Sequence, residues 1–281
     1  MTRFVHNEFK KMLSRNELMI ALTIGIGIAL LGLLEKTMDS YNNVFNLVTM
    51  IESPTQSSMT GNDLGAVTAM FVILLPLLVS FPCAWFYHKE MDMNLVPSLI
   101  SRGKYRNYYI SKAIVICTTG FVLTVIPLII NLLFHLVAYP FSAHGIFSES
   151  AYKGFGTISQ AMVMNNVTFP LLYINKPVIN ALVHILLIGI FGAGMGILTY
   201  AITLYFRKNI VITLATTTVL GLLLLIINSY TMTATIWPQA IVYTSPLSSM
   251  KISVFITEMI ILFGLCIFML VYKISKQRDV L

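Results

Sequence analysis

Six long apolar stretches constrain the fold of this chain more than any other feature of its sequence. A run of about 20 apolar residues crosses the roughly 30 Å hydrocarbon core of a bilayer, and its backbone must be helical to satisfy its own hydrogen bonds. We therefore predict one all-α integral membrane domain, 1–281, with six transmembrane helices. The predicted spans are 18–34, 64–87, 109–138, 178–206, 210–230 and 252–272.

The composition agrees with a membrane location. Of the 281 residues, 57% are hydrophobic and 10% are charged, a balance that would leave large apolar patches exposed on a water-soluble domain. The net charge of +7 comes mostly from Lys and Arg residues outside the spans, so it indicates orientation rather than nucleic-acid binding. We expect no nucleic-acid partner.

The basic residues also predict which helix ends face the cytoplasm. Most of the 18 Lys and Arg residues fall in 1–17, in 88–112, at 207–208 and after 272. Cytoplasmic loops are enriched in Lys and Arg, so we predict that both termini and the 88–108 loop are cytoplasmic.

Two further segments are predicted to lie at the membrane surface. In 1–17, apolar residues at helical spacing (Val5, Phe9, Met12 and Leu13) oppose basic ones, which predicts an interfacial amphipathic helix. The alternative is a basic flank that merely anchors the first span. The segment 231–251 is too short to span and is broken by Pro238 and Pro246, which favours a re-entrant or interfacial segment on the outer side.

No motif for catalysis is visible in the chain. A G-x-x-x-x-G-K-[ST] phosphate loop is missing, and so are the H-E-x-x-H and G-x-S-x-G motifs. The three cysteines lack paired spacing, so neither a disulfide nor a metal site is expected. We predict that the chain is not itself an enzyme and holds no cofactor.

The segment 88–108 is the most charged interruption between two spans. Met91, Leu95 and Leu99 recur every four residues, which predicts a short helix beneath the membrane that presents a face to a cytosolic partner. The alternative is a loop whose charges only maintain topology.

Polar residues inside the spans form a second candidate site. Asn131 and His135 are four residues apart, Asn180 and His184 repeat that spacing, and Glu258 lies at a similar depth in the last span. Because such residues are costly in lipid, one interpretation is a translocation pathway or gate. The other is hydrogen bonding that holds helices together, worth about 1 kcal/mol or less per contact.

Several short motifs surround the segment between the second and third spans. They are an acid after the second span and a later S-R-x-x-x-R with S-K, here Glu90, Ser101, Arg102, Arg106, Ser111 and Lys112. With the predicted architecture, these motifs resemble the type-2 ABC exporter permeases. The resemblance covers nearly the whole chain in architecture, although Asp92-Met93-Asn94 stands after Glu90 where Gly-Thr is commonest in that family, and Pro97 is unusual.

The resemblance implies a function and a set of partners. It implies a homodimer, or a pair of related permeases, that exports hydrophobic or amphipathic cargo such as peptides across a cell membrane, here a bacterial plasma membrane. Two copies of a cytosolic P-loop ATPase would bind ATP and Mg²⁺, and the loop between spans two and three would be the coupling helix that docks on them. The implied coupling residues are Glu90, Met91, Leu95, Leu99, Arg102 and Arg106.

Two other functions stay open on the sequence. A proton-coupled secondary transporter would use Glu258 with His135 or His184, and would be expected to show inverted repeats, of which none is visible. A membrane scaffold or sensor would bind a cytosolic partner or anionic membrane lipid through the basic loop.

Overall fold

The computed structural model describes residues 2–44, 55, 58–61, 65–93, 105–138, 167–206, 209–231, 238–244 and 250–278. Every regular element in these ranges is helical, which confirms the predicted all-α class. The helices are α1 (Thr2–Leu13), α2 (Asn16–Val44), α3 (Ala66–Asp92), α4 (Tyr105–Ala138), α5 (Pro170–Asn175), α6 (Pro177–Tyr205), α7 (Ile210–Thr231), the 3₁₀ helix η1 (Pro238–Val242) and α8 (Ile252–Arg278).

In the part of the chain that the structure describes, five helices are long and apolar enough to cross a membrane, namely α2, α3, α4, α6 and α8. The remaining predicted span, 210–230, coincides with α7, whose stretch Ile210–Leu223 is a shorter apolar helix. That α7 crosses the bilayer stays a prediction. Several helices are longer than the predicted spans. Hydropathy identifies only the apolar part of a helix, whereas the helix itself continues into polar residues.

Contacts between helix ends show that α2 and α3 run in opposite directions and that α6 and α8 run in the same direction. Lys89 near the end of α3 lies 3.7 Å from Glu17 at the start of α2, and the Tyr205 hydroxyl at the end of α6 donates to the Met269 carbonyl late in α8 (3.0 Å). We call the end that contains α1 the α1 end. At the opposite end, the Glu35 carboxylate accepts hydrogen bonds from the Ala66 and Val67 amides, at 2.8 and 3.1 Å, and so caps α3.

Helix α6 lies at the centre of the bundle and packs on α3, α4, α7, α8 and η1. It approaches α4 through glycine: a Cβ at Gly192 would collide with the Thr124 side chain, and one at Gly120 would collide with the Gly192 carbonyl. Small residues at both positions therefore let the two backbones touch.

Helix α1 packs against α4 as an amphipathic element. Val5, Phe9 and Met12 contact the core, Lys10 is exposed, and Leu13, predicted on the apolar face, is 63% exposed. The helix itself is as predicted, and its place at a membrane interface stays a prediction.

The predicted coupling helix and re-entrant segment fall partly outside the described residues. Met91 belongs to the last turn of α3, while Leu95, Leu99 and Arg102 lie outside the described residues. Within 231–251, the structure describes η1, which is buried against α6 and α8.

Candidate functional site

A buried ion pair joins the end of α3 to the start of α4. Glu90 lies in the last turn of α3 and is 1% exposed, and Lys112 lies two turns into α4 and is 0% exposed. The Lys112 ammonium donates to Glu90 Oε2. Tyr108, one turn before Lys112 on the same face of α4, donates its hydroxyl to the same oxygen at 2.7 Å. The segment 94–104, which lies outside the described residues, is thus flanked by two helices whose ends are joined by an ion pair.

Helix α1 adds a second cation and a second acid. Lys11 Nζ lies 2.6 Å from Glu8 Oε1 and 3.5 Å from Glu90 Oε1, so the two oxygens of Glu90 face different amines. Glu8 and Lys11 are three residues apart, a spacing that places both on one face of α1. We call the five residues Glu8, Lys11, Glu90, Tyr108 and Lys112 the Glu90 network.

Aromatic rings complete the surroundings of the Lys112 ammonium. Its nitrogen lies 4.5 Å from the centre of the Phe86 ring and 5.2 Å from those of Tyr87 and Tyr108. Ring faces attract cations, and this attraction grows when water is excluded. A buried ion costs several kcal/mol unless it is paired and hydrogen-bonded, so these contacts explain how a lysine is held inside the bundle.

Lys11 remains charged in this setting. Partial burial would lower its pKa, but the hydrogen bond and charge of Glu8, together with the charge of Glu90, raise the pKa above its ordinary value of 10.5. The Lys11 amine is therefore protonated throughout the physiological range.

The structure places the predicted coupling residues in different settings. Glu90 faces the interior, Met91 is half-buried against the core, and Arg106 is exposed on the first turn of α4. The partners of Glu90 were not predicted, although both acid and lysine were singled out as motif residues. One feature of the sequence could have indicated these partners. Glu90 lies at the end of an apolar stretch, where an unpaired charge is costly, so a counter-charge is expected near it.

Asn131 connects α4 to other parts of the bundle, whereas the described bond of His135 lies within α4. The Asn131 amide accepts from the Met59 backbone amide at 2.9 Å and donates to the Ala29 carbonyl at 2.8 Å, while His135 Nδ1 lies 2.8 Å from the Asn131 carbonyl. Asn131 therefore joins α4 to α2 and to the segment at Met59.

Asn180, His184 and Glu258 retain unused polar atoms. His184 Nδ1 donates to the Ile241 carbonyl at 2.5 Å, which attaches η1 to α6. Within the described part of the chain, His184 Nε2, Asn180 Oδ1 and both Glu258 oxygens have no hydrogen-bond partner. The structure therefore shows no hydrogen bond between Glu258 and either histidine.

No protein-family model, curated protein or solved structure matches this chain. Among the described residues, no group of three or more His, Cys, Asp and Glu could hold a metal ion. The Glu90 network is the densest cluster of buried charge described above, and its geometry provides a mechanical link among α1, α3 and α4.

Proposed function

We propose that this chain is the membrane-spanning permease subunit of an ATP-driven ABC exporter. The observation that carries the proposal is the position of the Glu90 network, which joins α1, α3 and α4 on both sides of the segment 94–104, the middle of the predicted 88–108 coupling loop. A coupling loop needs such an arrangement, because force applied to a loop moves the spans only if the flanking helix ends are rigidly connected.

In this proposal, the chain supplies the pathway and a partner supplies the energy. Two permease subunits assemble with two cytosolic P-loop ATPase subunits, which bind ATP and Mg²⁺. ATP binding draws the ATPases together, and the predicted 88–108 coupling loops follow them. The loop must contact the ATPase differently in its two states, since a ligand shifts an equilibrium only through differential affinity.

The cargo we propose is hydrophobic or amphipathic, with apolar peptides as one class. The long apolar helices support this class, because cargo that leaves or enters lipid must pass apolar surfaces. The direction we propose is outward, from the side that the basic residues assign to the cytoplasm.

The test is co-purification of the chain from its native membrane in mild detergent, with mass spectrometry and an ATPase assay. The double variant Arg102→Glu, Arg106→Glu should lose the ATPase subunit and its activity. The matched control is Lys176→Glu, Lys251→Glu, which makes the same charge change on exposed residues at the opposite end. Equal retention of the ATPase by the two variants would contradict the proposal.

A second candidate is a proton-coupled transporter, which the unpartnered oxygens of Glu258 favour. Such a carboxyl group could take up and release a proton during transport. In vesicles without any ATPase, an imposed proton gradient would then drive transport, and Glu258→Gln would abolish it. Transport that requires ATP would exclude this candidate.

A further inference from the structure

An apolar groove of about 950 Å³ lies between α4 and α8 at the α1 end. Its first wall is one face of α4, where Arg106, Ile110, Ala113 and Cys117 follow each other at intervals of three or four residues. Such intervals place residues on a single stripe of a helix. The volume falls in the range of small-molecule sites, which is about 300–1,000 Å³.

The second wall is a matching stripe of α8. Phe263, Ile267, Leu270 and Ile274 line the groove at the same intervals, and Ile197 of α6 contributes between the two walls. Helix α8 packs on α6 and η1 and not closely on α4, so the space between α4 and α8 stays open.

The groove has the length of one leaflet. Its lining runs from Arg106 to Thr118 on α4 and from Phe263 to Ser275 on α8, which at 1.5 Å per residue gives about 18 Å on each wall. One leaflet contributes about 15 Å of hydrocarbon, which is half of the bilayer core. An extended acyl chain therefore fits along the groove from the surface of the leaflet towards the middle of the membrane.

The groove is charged at one end. Arg106 is exposed at the α1 end, and the structure describes no acid or hydrogen-bond partner for its guanidinium group within the described ranges. Ser275 lies at the same end of the opposite wall. A guanidinium group binds phosphate oxygens in a two-point geometry, so this end is suited to an anionic phosphate.

We propose that this groove binds an anionic phospholipid from the leaflet at the α1 end. The phosphate pairs with Arg106, and one acyl chain lies between α4 and α8. The lipid is a resident ligand, and the proposal does not depend on an ATPase partner. Apolar walls alone would suit many occupants, and the cation at the mouth selects a lipid with net negative charge.

Native mass spectrometry of the purified, delipidated full chain tests this proposal, with dioleoyl phosphatidylglycerol and dioleoyl phosphatidylcholine as probes. We expect the first phosphatidylglycerol to bind about tenfold more tightly than phosphatidylcholine, because the choline cation offsets the phosphate charge that attracts Arg106 and the glycerol headgroup does not. Arg106→Gln should remove this preference. The matched control is Lys10→Gln, which removes an exposed cation at the same end but outside the groove.

A variant that fills the groove tests the position of the acyl chain. Ala113→Trp should weaken the binding of both lipids, because the indole would occupy the space between the walls. An unchanged preference in Arg106→Gln, or full binding of both lipids to a folded Ala113→Trp, would overturn the proposal. A dimer that excludes lipid from the groove would also overturn it. Because Arg106 is exposed, Arg106→Gln is decisive even if Ala113→Trp does not fold.

Discussion

Lys112 and Glu90, 22 positions apart in the chain, form an ion pair that is almost fully buried. The pair lies at the α1 end, where α3 finishes and α4 begins, and it is shared with Tyr108 and Lys11. Glu90 and Lys112 lie on consecutive long helices, α3 and α4, so the pair fixes the separation of those helix ends.

Glu90→Gln should destabilise the protein strongly. The substitution leaves the Lys112 ammonium buried without a counter-charge, and breaking a buried pair costs about 3–5 kcal/mol. The free energy of unfolding is measured by SDS titration in mixed micelles. The control is Glu17→Gln, which removes a partly exposed pair with Lys89 and should cost about 1 kcal/mol or less.

A double variant distinguishes the cost of an unpaired buried charge from the cost of losing the ion pair itself. Glu90→Gln, Lys112→Met removes the unpaired ammonium and should be more stable than Glu90→Gln alone, because an apolar replacement of a buried pair is often tolerated. If the losses in free energy of unfolding from the two single substitutions instead add up in the double variant, the ion pair is not what holds these helix ends together.

Tyr108→Phe should cost about 1–3 kcal/mol, since it deletes the hydrogen bond to the buried Glu90 carboxylate and the one that the hydroxyl accepts from Lys112 at 3.2 Å, and keeps the ring over Lys112. Tyr205→Phe is the matched control, because its exposed hydroxyl bonds a carbonyl, and it should cost about 1 kcal/mol or less. Thermal unfolding in detergent compares the two. Equal losses would argue against a special role for Tyr108.

Lys11→Gln should loosen α1 from the bundle without unfolding the spans. Hydrogen exchange over Thr2–Leu13 measures this effect, and Lys10→Gln, at an exposed neighbouring residue, is the control.

The pKa of Lys11 is raised above 10.5, so its stabilising contribution is complete below that pH and is lost as the pH rises through the pKa of the folded state. The difference between wild type and Lys11→Gln should therefore be constant from about pH 7 to pH 9. A difference that fades within this interval would contradict the assignment.

Gly192→Ala should separate α4 from α6. A methyl group there meets the Thr124 side chain and the Gly120 carbonyl, and overpacking of this kind costs about 1–3 kcal/mol. Gly27→Ala is the control, since no atom lies within 4 Å of the position that its methyl group would take, and it should be neutral or stabilising by up to about 1 kcal/mol. SDS titration distinguishes the two, and equal stability would show that the helices can separate at no cost.

Much of the fold could be predicted from hydropathy, because lipid demands long apolar helices. The helix ends could not be predicted in this way. Helix α4 begins at Tyr105, one turn before the predicted start at 109, and this extra turn places Tyr108 on the same helix face as Lys112. The spacing of four residues places Asn131 and His135 on one face of α4. The partners of Asn131 at Ala29 and Met59 are distant in sequence, so no local pattern could identify them.

The Glu90 network also bears on how the chain is made. Synthesis runs from the N-terminus, so Glu90 emerges 22 positions before Lys112, its main counter-charge. Lys11 was made 79 positions before Glu90 and already carries its charge on α1. The N-terminal helix therefore supplies the first cation of the network that a newly made α3 can meet, and Lys112 joins the pair once α4 follows.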